Sequence, residues 1–380
     1  MEVTERQLNR ATLARQLLLR RESLDVVAGA RRVVAIQAQQ AASPYVALWN
    51  RLEGFDPADV DEAFADRSLV KATLMRITLH AVHSDDYPVM HAAMQPTLRG
   101  ARLGDPRFTE SGLSAADADA LVPHLLEFTE RPRSNAEVEA WIEDRLGVPP
   151  KGVWWALRSF APLLHAPTGG PWSFGLRPAY VAAGTPATPG DRGLADEGLP
   201  GLVLRYLGGF GPASVADIAQ FALVQRSRAR KALAAMSDDL VEIDGPGGTK
   251  LFDVPGAPLP PEDSPAPPRL MAMWDSVLLA YADRSRIIPR DYRRLVARNN
   301  GDVLPTLLVD GYVAGVWRSV EDGIEATAFH PLPDEAWDGL ADEAAALVKL
   351  LADRDPRVYR RYDNWWSKLS GAEVRVLPGG

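Results

Sequence analysis

The stretch LPGLVLRYLGGFGPASVADIAQFALVQRSRARKALAAMSDDLVEIDGPGGTKLFDV, residues 199–254, shows the plan of this chain most clearly. Three segments with helical spacing come first, the second after Ser214 and the third from Ser227. Two alternating segments separated by glycines follow, which is typical of a β-hairpin. Three helices and a hairpin make a winged helix, and the third helix begins with basic residues, as a recognition helix does.

The same order recurs twice earlier in the chain. In residues 1–125 we predict helices over 5–21 after Thr4, over 25–42 and over 57–68, followed by a strand or wing over 72–83. In residues 126–198 we predict helices over 134–146 and 151–164, followed by two short strands around Gly169-Gly170 within 164–175. We therefore predict three tandem winged-helix units, residues 1–125, 126–198 and 199–256.

The last part of the chain has a different pattern. Residues 255–269 are proline-rich and predict an extended linker. Residues 270–380 predict a small antiparallel β domain, with strands over 269–281, 303–309, 312–320 and 324–330, a two-residue turn at Asp310-Gly311, and a helix over 333–353. The aromatic and basic tail after it could face DNA or cover this domain. The predicted fold class is α+β, with a concave DNA-binding surface.

Composition excludes several classes of protein. The 380 residues contain no cysteine, which excludes a disulfide framework, a thiolate nucleophile and a cysteine-ligated metal. The N-terminus is charged and lacks a signal peptide's apolar core, and no run approaches the ~18 apolar residues of a membrane helix. The sequence therefore predicts a bacterial, cytoplasmic protein.

The formal net charge of −8 opposes nucleic-acid binding, but the arginines are clustered. The basic clusters lie at residues 10–21, 31–32, 226–231, 290–298 and 357–361, and the acidic residues concentrate elsewhere. A basic concave face on an acidic body is compatible with this distribution, and so is a set of separate solvated helix faces.

Residues 31–52, RRVVAIQAQQAASPYVALWNRL, contain two glutamines one residue apart, Gln37 and Gln39. Apolar residues around Ala38 recur at helical spacing, so we expect this pair on the helix over 25–42. Ala38 would then face the core, with one glutamine at either edge of the buried stripe. Semi-buried amides need partners, so the pair is a candidate functional site.

The segment from Leu8 to His80, which carries this pair, resembles the helix-turn-helix DNA glycosylases of the AlkZ and YcaQ type. In that family a Gln-apolar-Gln or Gln-apolar-Asp motif is the catalytic signature. A second block, residues 270–318, resembles the C-terminal segment of the same family, with an aspartate-containing opening, a DRxR element at 283–286 and a hairpin. The two blocks stand in the right order and cover nearly the whole chain.

The resemblance implies a DNA glycosylase that hydrolyses N-glycosidic bonds in damaged DNA, with Gln37 and Gln39 as its catalytic residues and no cofactor. A glutamine cannot protonate a leaving group at neutral pH, so we expect the leaving base to be cationic already, as in an N7- or N3-alkylated purine. An amide carbonyl would hold the attacking water, a task we assign to Gln39. Part of the family has aspartate at this position, so we expect a stricter dependence on a cationic base. Without an obvious buried lysine near the motif, we expect a monofunctional enzyme.

The Gln-apolar-Gln branch implies a particular substrate and setting. The substrate would be double-stranded DNA with alkylated purines, or with interstrand crosslinks made by a DNA-alkylating antibiotic. The setting would be self-resistance and repair near the nucleoid, by a monomer without an obligate protein partner. The predicted DNA contacts are Arg76, His80, Arg284 and Arg286, with the hairpin at Asp310-Gly311 and the wing near Thr78 probing a groove. The alternative is that these arginines form ordinary ion pairs with Asp275 or Asp283 and do not contact DNA.

Other readings fit less well. His80 and His83 would point to opposite faces of a strand, so we predict no metal site. No phosphate-binding loop or Gly-x-Ser-x-Gly elbow is present. A non-catalytic winged-helix regulator is the second functional hypothesis, although no heptad run suggests its dimerisation helix. A protein-interaction module is the third.

Overall fold

The structure is a computed structural model that describes residues 2–147, 149–186, 192–298, 301–366, 368–369 and 371–379. In these ranges, helices are combined with antiparallel sheets, which agrees with the predicted α+β class. We found no helix among them with the length and apolarity needed to cross a membrane.

The first part of the chain combines helices with one six-stranded sheet. Its helices are α1 (Glu5–Arg15), α2 (Val26–Arg32), α3 (Ser43–Trp49), α4 (Pro57–Ala65), α5 (Tyr87–Leu103), α6 (Pro106–Thr109), α7 (Ala115–Phe128), α8 (Asn135–Leu146) and α9 (Pro150–Phe160). Its strands are β1 (Ile36–Gln37), β2 (Leu69–Thr73), β3 (Leu79–His83), β4 (Arg133–Ser134), β5 (Leu163–Ala166) and β6 (Ala179–Ala182).

The order of this sheet, β1-β3-β2-β5-β6-β4, joins residues on both sides of the predicted boundary at 125. Lys71 of β2 pairs with His165 of β5, so the hairpins of the first two predicted units form one continuous sheet. Of the two alternatives expected over 72–83, a strand or a wing, the structure has a hairpin, in which a tight turn at Leu74–Thr78 divides β2 from β3. The expected partner of β5 is wrong: β5 pairs with β6, and the segment 172–175 forms no strand.

The third predicted unit has the expected element order. It contains α10 (Arg192–Phe210), α11 (Val215–Ala222), α12 (Arg226–Ala235) and the hairpin β7 (Val241–Gly245) and β8 (Thr249–Asp253). Ser214 caps α11 through a reciprocal capping box with Asp217, which satisfies amide groups that the first helical turn leaves without partners.

The last part forms a five-stranded antiparallel sheet of order β13-β12-β11-β10-β9. Its elements are β9 (Arg269–Leu270), α13 (Arg293–Val296), β10 (Thr306–Val309), β11 (Tyr312–Val320), β12 (Gly323–Ala328), α14 (Asp334–Ala352), α15 (Asp363–Trp366) and β13 (Glu373–Pro378). The turn at Asp310-Gly311 and the helix over 333–353 are confirmed. Tyr359, Trp365 and Trp366 are buried, so the tail covers this domain.

The expected strand over 269–281 is wrong beyond its first two residues. Trp274 has a φ of +57°, a left-handed conformation that interrupts an extended run and is uncommon for a bulky residue. The segment instead runs through the interior, where Met271 and Met273 are fully buried. Its path brings it against the N-terminal part of the chain.

Buried polar contacts join these two distant segments. Arg51 donates two hydrogen bonds of 2.8 Å to the carboxylate of Asp275, and both side chains are almost completely buried. Nearby, Asn50 donates to the Leu270 carbonyl and the Ser276 hydroxyl donates to the Ala35 carbonyl. Residues on both sides of α3 are therefore held directly against residues 270–276.

We expect Arg51→Met to destabilise the protein by ~3–5 kcal/mol, because it leaves the Asp275 carboxylate buried without its cation. Urea unfolding followed by circular dichroism measures this loss. The double variant Arg51→Met/Asp275→Leu should lose much less than the sum of the single variants. Additive losses would show that the pair is not energetically coupled.

Candidate active site

Gln37 and Gln39 lie on a strand and the bend after it, so the predicted helical position is wrong. Helix α2 ends at Arg32, and Val34 has a left-handed φ of +78° that prevents the helix from continuing. Strand β1 pairs with β3 instead, and Gln37 stands opposite His80. Residues two apart on extended backbone share a face, so both glutamines reach one side while Ala38 is buried on the other.

Gln37 is the centre of a hydrogen-bonded group. Its side chain is buried, and its carbonyl Oε1 accepts a hydrogen bond of 2.7 Å from Nη2 of Arg76. The backbone N–H of Gln37 donates to the Ser276 hydroxyl at 3.2 Å. The motif is thus joined both to the β2–β3 turn and to the segment that begins at β9.

His80 is a hydrogen-bond partner of Arg76. Its Nδ1 lies 3.0 Å from the Thr78 carbonyl, which can only accept, so this nitrogen carries the proton. Its Nε2 is then free to accept from Arg76 Nη2 at 3.2 Å. Burial, together with the charge of Arg76, holds the pKa of His80 well below its usual value, so the ring is neutral. Because His80 is fully buried, the expected direct contact with DNA is corrected to this inward role.

Arg76 is turned inward as well. Its Nη1 lies 3.4 Å from the Phe221 carbonyl of α11, and its guanidinium stands over the Phe221 ring. Burial, with the charge of Arg284 as a second cause, lowers the pKa of Arg76 to about 10, so it remains a cation at neutral pH. The turn that carries it packs on α11, which corrects the expectation of a projecting wing near Thr78.

Gln39 is fixed by the backbone. It is exposed, and its Oε1 accepts a hydrogen bond of 2.9 Å from the Leu79 N–H at the start of β3. The side-chain carbonyl of each glutamine therefore already accepts one hydrogen bond, in each case from a group that can only donate. Across the described ranges, we found no hydrogen-bond partner for either amide nitrogen.

The two glutamines open into a cleft of about 440 Å³. Its lining residues are Gln37, Gln39, Arg76, Thr78, Trp274, Leu279, Arg284, Ala297, Arg298, Gly301, Asp302 and Val303. The apolar members can hold a flat base, and the cationic members suit a polyanion. The cleft is thus made jointly by the two blocks of sequence that were singled out.

Arg284 is one of three arginines that line this cleft, with Arg76 and Arg298. It is half-buried, and burial followed by the charge of Arg293 lowers the pKa of its guanidinium. The two carboxylates considered as its partners are occupied elsewhere. Asp275 binds Arg51, and Asp283 binds Arg290 while capping Ser285. Simple ion pairing therefore does not explain Arg284.

The structure does not bring Arg286 to this cleft. Its Nη1 donates to the Pro212 carbonyl at 2.9 Å, its guanidinium stacks over the Tyr281 ring, and it lines a separate cleft beside α1. The Asp310-Gly311 turn also differs from its expected role as a groove probe. Asp310 is bound by Arg6 and Arg10, which tie the turn to α1.

Sequence reasoning missed two residues of the cleft, Trp274 and Asp302. Trp274 was assigned to a strand, whereas its left-handed backbone directs the chain along the cleft. Asp302 followed a turn-like Asn-Asn-Gly run at 299–301, a signal that indicates a loop and says nothing of chemistry.

The comparison with known proteins decides the family. The sequence model of the AlkZ-like family, described as "DNA glycosylase AlkZ-like", matches residues 30–350. The chain belongs to the AlkZ-like DNA glycosylase family. It is therefore an enzyme that hydrolyses N-glycosyl bonds in DNA, which confirms the resemblance and displaces the reading as a non-catalytic regulator.

Two further likenesses agree with this assignment. The "Interstrand DNA cross-link repair glycosylase" of Streptomyces sahachiroi is 26% identical over 321 residues, which cover 80% of this chain and 84% of that protein. The solved structure of "Streptomyces sahachiroi DNA glycosylase AlkZ" has the same fold, with a TM-score of 0.76 and 22% identity over 93% of this chain and 98% of that one.

The Arg76 contact predicts a specific kinetic effect. We expect Arg76→Met to lower the single-turnover rate of base excision at least ~10-fold, or ~1.4 kcal/mol, because Gln37 loses the donor that orients its amide. Affinity for undamaged duplex should change less than threefold, since this guanidinium points inward. Excision assays and fluorescence anisotropy separate the two quantities. A large loss of affinity with an unchanged rate would instead make Arg76 a phosphate contact.

Proposed function

We propose that this glycosylase excises N7- and N3-alkylated purines from double-stranded DNA and unhooks interstrand crosslinks that contain them. One observation supports this most: the two signature glutamines open into a cleft that also presents cationic and aromatic side chains. Gln37 and Gln39 are its catalytic residues in this proposal.

The chemistry of the glutamines favours a cationic leaving base. Neither amide can donate a proton to the departing nitrogen at neutral pH, and His80 is neutral and buried. An alkylated purine already carries a positive charge, so it leaves as a neutral base when the C1′–N bond breaks. No general acid is then required.

Water, rather than an amine, is the nucleophile in this proposal. The cleft lining among the described residues includes no lysine. Lys71 is buried, and burial lowers its pKa to about 8, as an amine nucleophile would need. However, Lys71 pairs with Ala81, one position from the Gln37–His80 pair, and so faces the opposite side of the sheet. Its ammonium lies over the Phe174 ring instead.

The crosslink substrate is proposed from the relative of S. sahachiroi, which is named as an interstrand crosslink repair glycosylase. A lesion that ties two strands resists flipping into a closed pocket, so an open cleft suits it. We extend the proposal to three winged-helix units that form a concave surface for duplex DNA. The enzyme would act as a monomer near the bacterial nucleoid, in self-resistance to an alkylating antibiotic.

Duplex binding is proposed to use arginines that form no ion pair with any residue that the structure describes. Arg284 and Arg298 line the cleft, and Arg226 and Arg230 are exposed on α12. Arg228 and Lys231 of the same helix are neutralised by Asp196, so half of that predicted basic cluster is structural.

The decisive test of activity uses a duplex with one 7-methylguanine, with alkaline cleavage reporting the abasic product. We expect the wild type to produce an alkali-labile site, and Gln37→Ala or Gln39→Ala to lower the rate at least ~10-fold. Gln40→Ala is the matched control, because its amide binds Tyr362 instead of entering the cleft. Equal rates in all four proteins would refute the catalytic assignment of Gln37 and Gln39. A separate assay with a duplex that carries an N7-linked interstrand crosslink tests unhooking.

The phosphate role of Arg284 has a thermodynamic signature. We expect Arg284→Ala to weaken binding of undamaged and damaged duplex alike and to reduce the slope of log Kd against log salt by ~0.9, the value for one lost phosphate contact. Anisotropy titrations at salt concentrations from about 50 to 300 mM provide this slope. Arg286→Ala is the control, because that side chain lies in another cleft. An unchanged slope for Arg284→Ala would remove it from the DNA interface.

A further inference from the structure

Hydrolysis by this enzyme has two requirements, stabilisation of a cation and removal of a proton, that amide side chains meet poorly. The sugar becomes cationic as the base departs, and the attacking water must lose a proton. The Gln37 carbonyl already accepts from the cationic Arg76, and the Gln39 carbonyl already accepts from the Leu79 N–H. An amide oxygen in that situation is a weak base and a weak partner for a cation.

Asp302 stands in the same cleft. It lines the cleft together with both glutamines and is half-buried. Of the cleft-lining residues that the structure describes, it is the one carboxylate. It comes from the C-terminal block, across from the motif.

Described residues on either side of Asp302 make specific contacts. The backbone carbonyl of Asp302 accepts from the Arg298 N–H at 2.9 Å, and Ala297 forms a bridge with Val303. The indole Nε1 of Trp274 donates to the Gly301 carbonyl at 2.8 Å, one residue before Asp302. None of these contacts uses the Asp302 side chain, so its substitution leaves them in place.

Affinity for DNA does not account for a carboxylate here. A negative charge in the cleft that Arg76, Arg284 and Arg298 also line weakens the attraction of the cleft for phosphates. The same charge stabilises a cation that develops inside the cleft, where water no longer screens it fully. A carboxylate is therefore more useful in the transition state than in the initial complex.

We propose that Asp302 is a catalytic residue of this glycosylase, as the carboxylate that stabilises the sugar cation and receives the proton of the attacking water. The inference rests on the proposed excision of alkylated purines. In the step, the C1′–N bond breaks and its electron pair neutralises the cationic base. The water oxygen bonds to C1′, and the water proton passes to Asp302 and then to solvent. Gln37 and Gln39 orient the base and the water.

The test compares wild type, Asp302→Asn and Asp302→Glu in single-turnover excision of 7-methylguanine from a duplex. We expect Asp302→Asn to lower the rate by ~10²-fold or more, the usual contribution of a general base, and Asp302→Glu to recover part of it. Asp322→Asn is the matched control, because it makes the same change at an exposed turn between β11 and β12. Thermal unfolding checks that all four proteins fold alike.

A second readout isolates the charge of Asp302. Two duplexes carry either a cationic pyrrolidine or a neutral tetrahydrofuran in place of the lesion sugar. The wild type should bind the pyrrolidine duplex at least ~10-fold more tightly, because it imitates the transition-state cation. Asp302→Asn should lose this preference while binding the tetrahydrofuran duplex as well as, or better than, the wild type. A residue that only supports the loop would not change the ratio.

The outcomes separate the two proposals. A wild type that excises no alkylated purine, with or without a crosslink, refutes the proposed function. A wild type that excises, together with an Asp302→Asn variant that retains its rate or its full preference for pyrrolidine, overturns the assignment of Asp302 alone.

Discussion

The buried ion pair between Arg51 and Asp275 is the constraint on which the site depends. Two charges removed from water are tolerated only when each has the other as a partner. The pair therefore holds the end of α3 against the segment after β9. The Ser276 hydroxyl, one residue from Asp275, then meets both the Ala35 carbonyl and the Gln37 N–H. The positions of the glutamine pair and of the cleft wall after β9 thus depend on a contact that lies outside the cleft.

Local signals in the sequence predicted much of the fold, and long-range pairing explains most of the errors. Helix caps such as Thr4 and Ser214, and the turn at Asp310-Gly311, depend on neighbouring residues and were found correctly. The helix over 25–42 was wrong beyond α2, because the apolar spacing included Val34 but could not show that its left-handed backbone ends the helix. In addition, β1 exists only through pairing with distant β3. A pattern of apolar residues does not distinguish a buried strand from a buried helix over so short a run.

The arginines show why charge clusters were hard to interpret. Arg10 and Arg15 belong to one predicted basic cluster, yet both are buried and bind Asp310 and Asp253. They stabilise the packing of α1 and contribute no exposed charge. Arg284 is a less conspicuous residue in the sequence, but the two carboxylates considered as its ion-pair partners, Asp275 and Asp283, bind other arginines. Tertiary contacts determine which arginines are buried in ion pairs and which remain available to bind DNA. Sequence spacing therefore could not distinguish the two kinds.

The position of the glutamine pair on extended backbone also explains its spacing. On a strand, residues i and i+2 reach the same side, whereas a helix would separate them by about 200°. The amides are then oriented by donors that cannot reverse their role, Arg76 for Gln37 and the Leu79 N–H for Gln39. This arrangement fixes the geometry of the amides before a substrate arrives. In the proposed reaction it also leaves the Arg76 guanidinium in the cleft where the sugar becomes positive, which is compatible with a base that leaves with little additional charge separation, as an alkylated purine does. A carboxylate in the same cleft would offset that guanidinium, which is a further physical argument for the proposed role of Asp302.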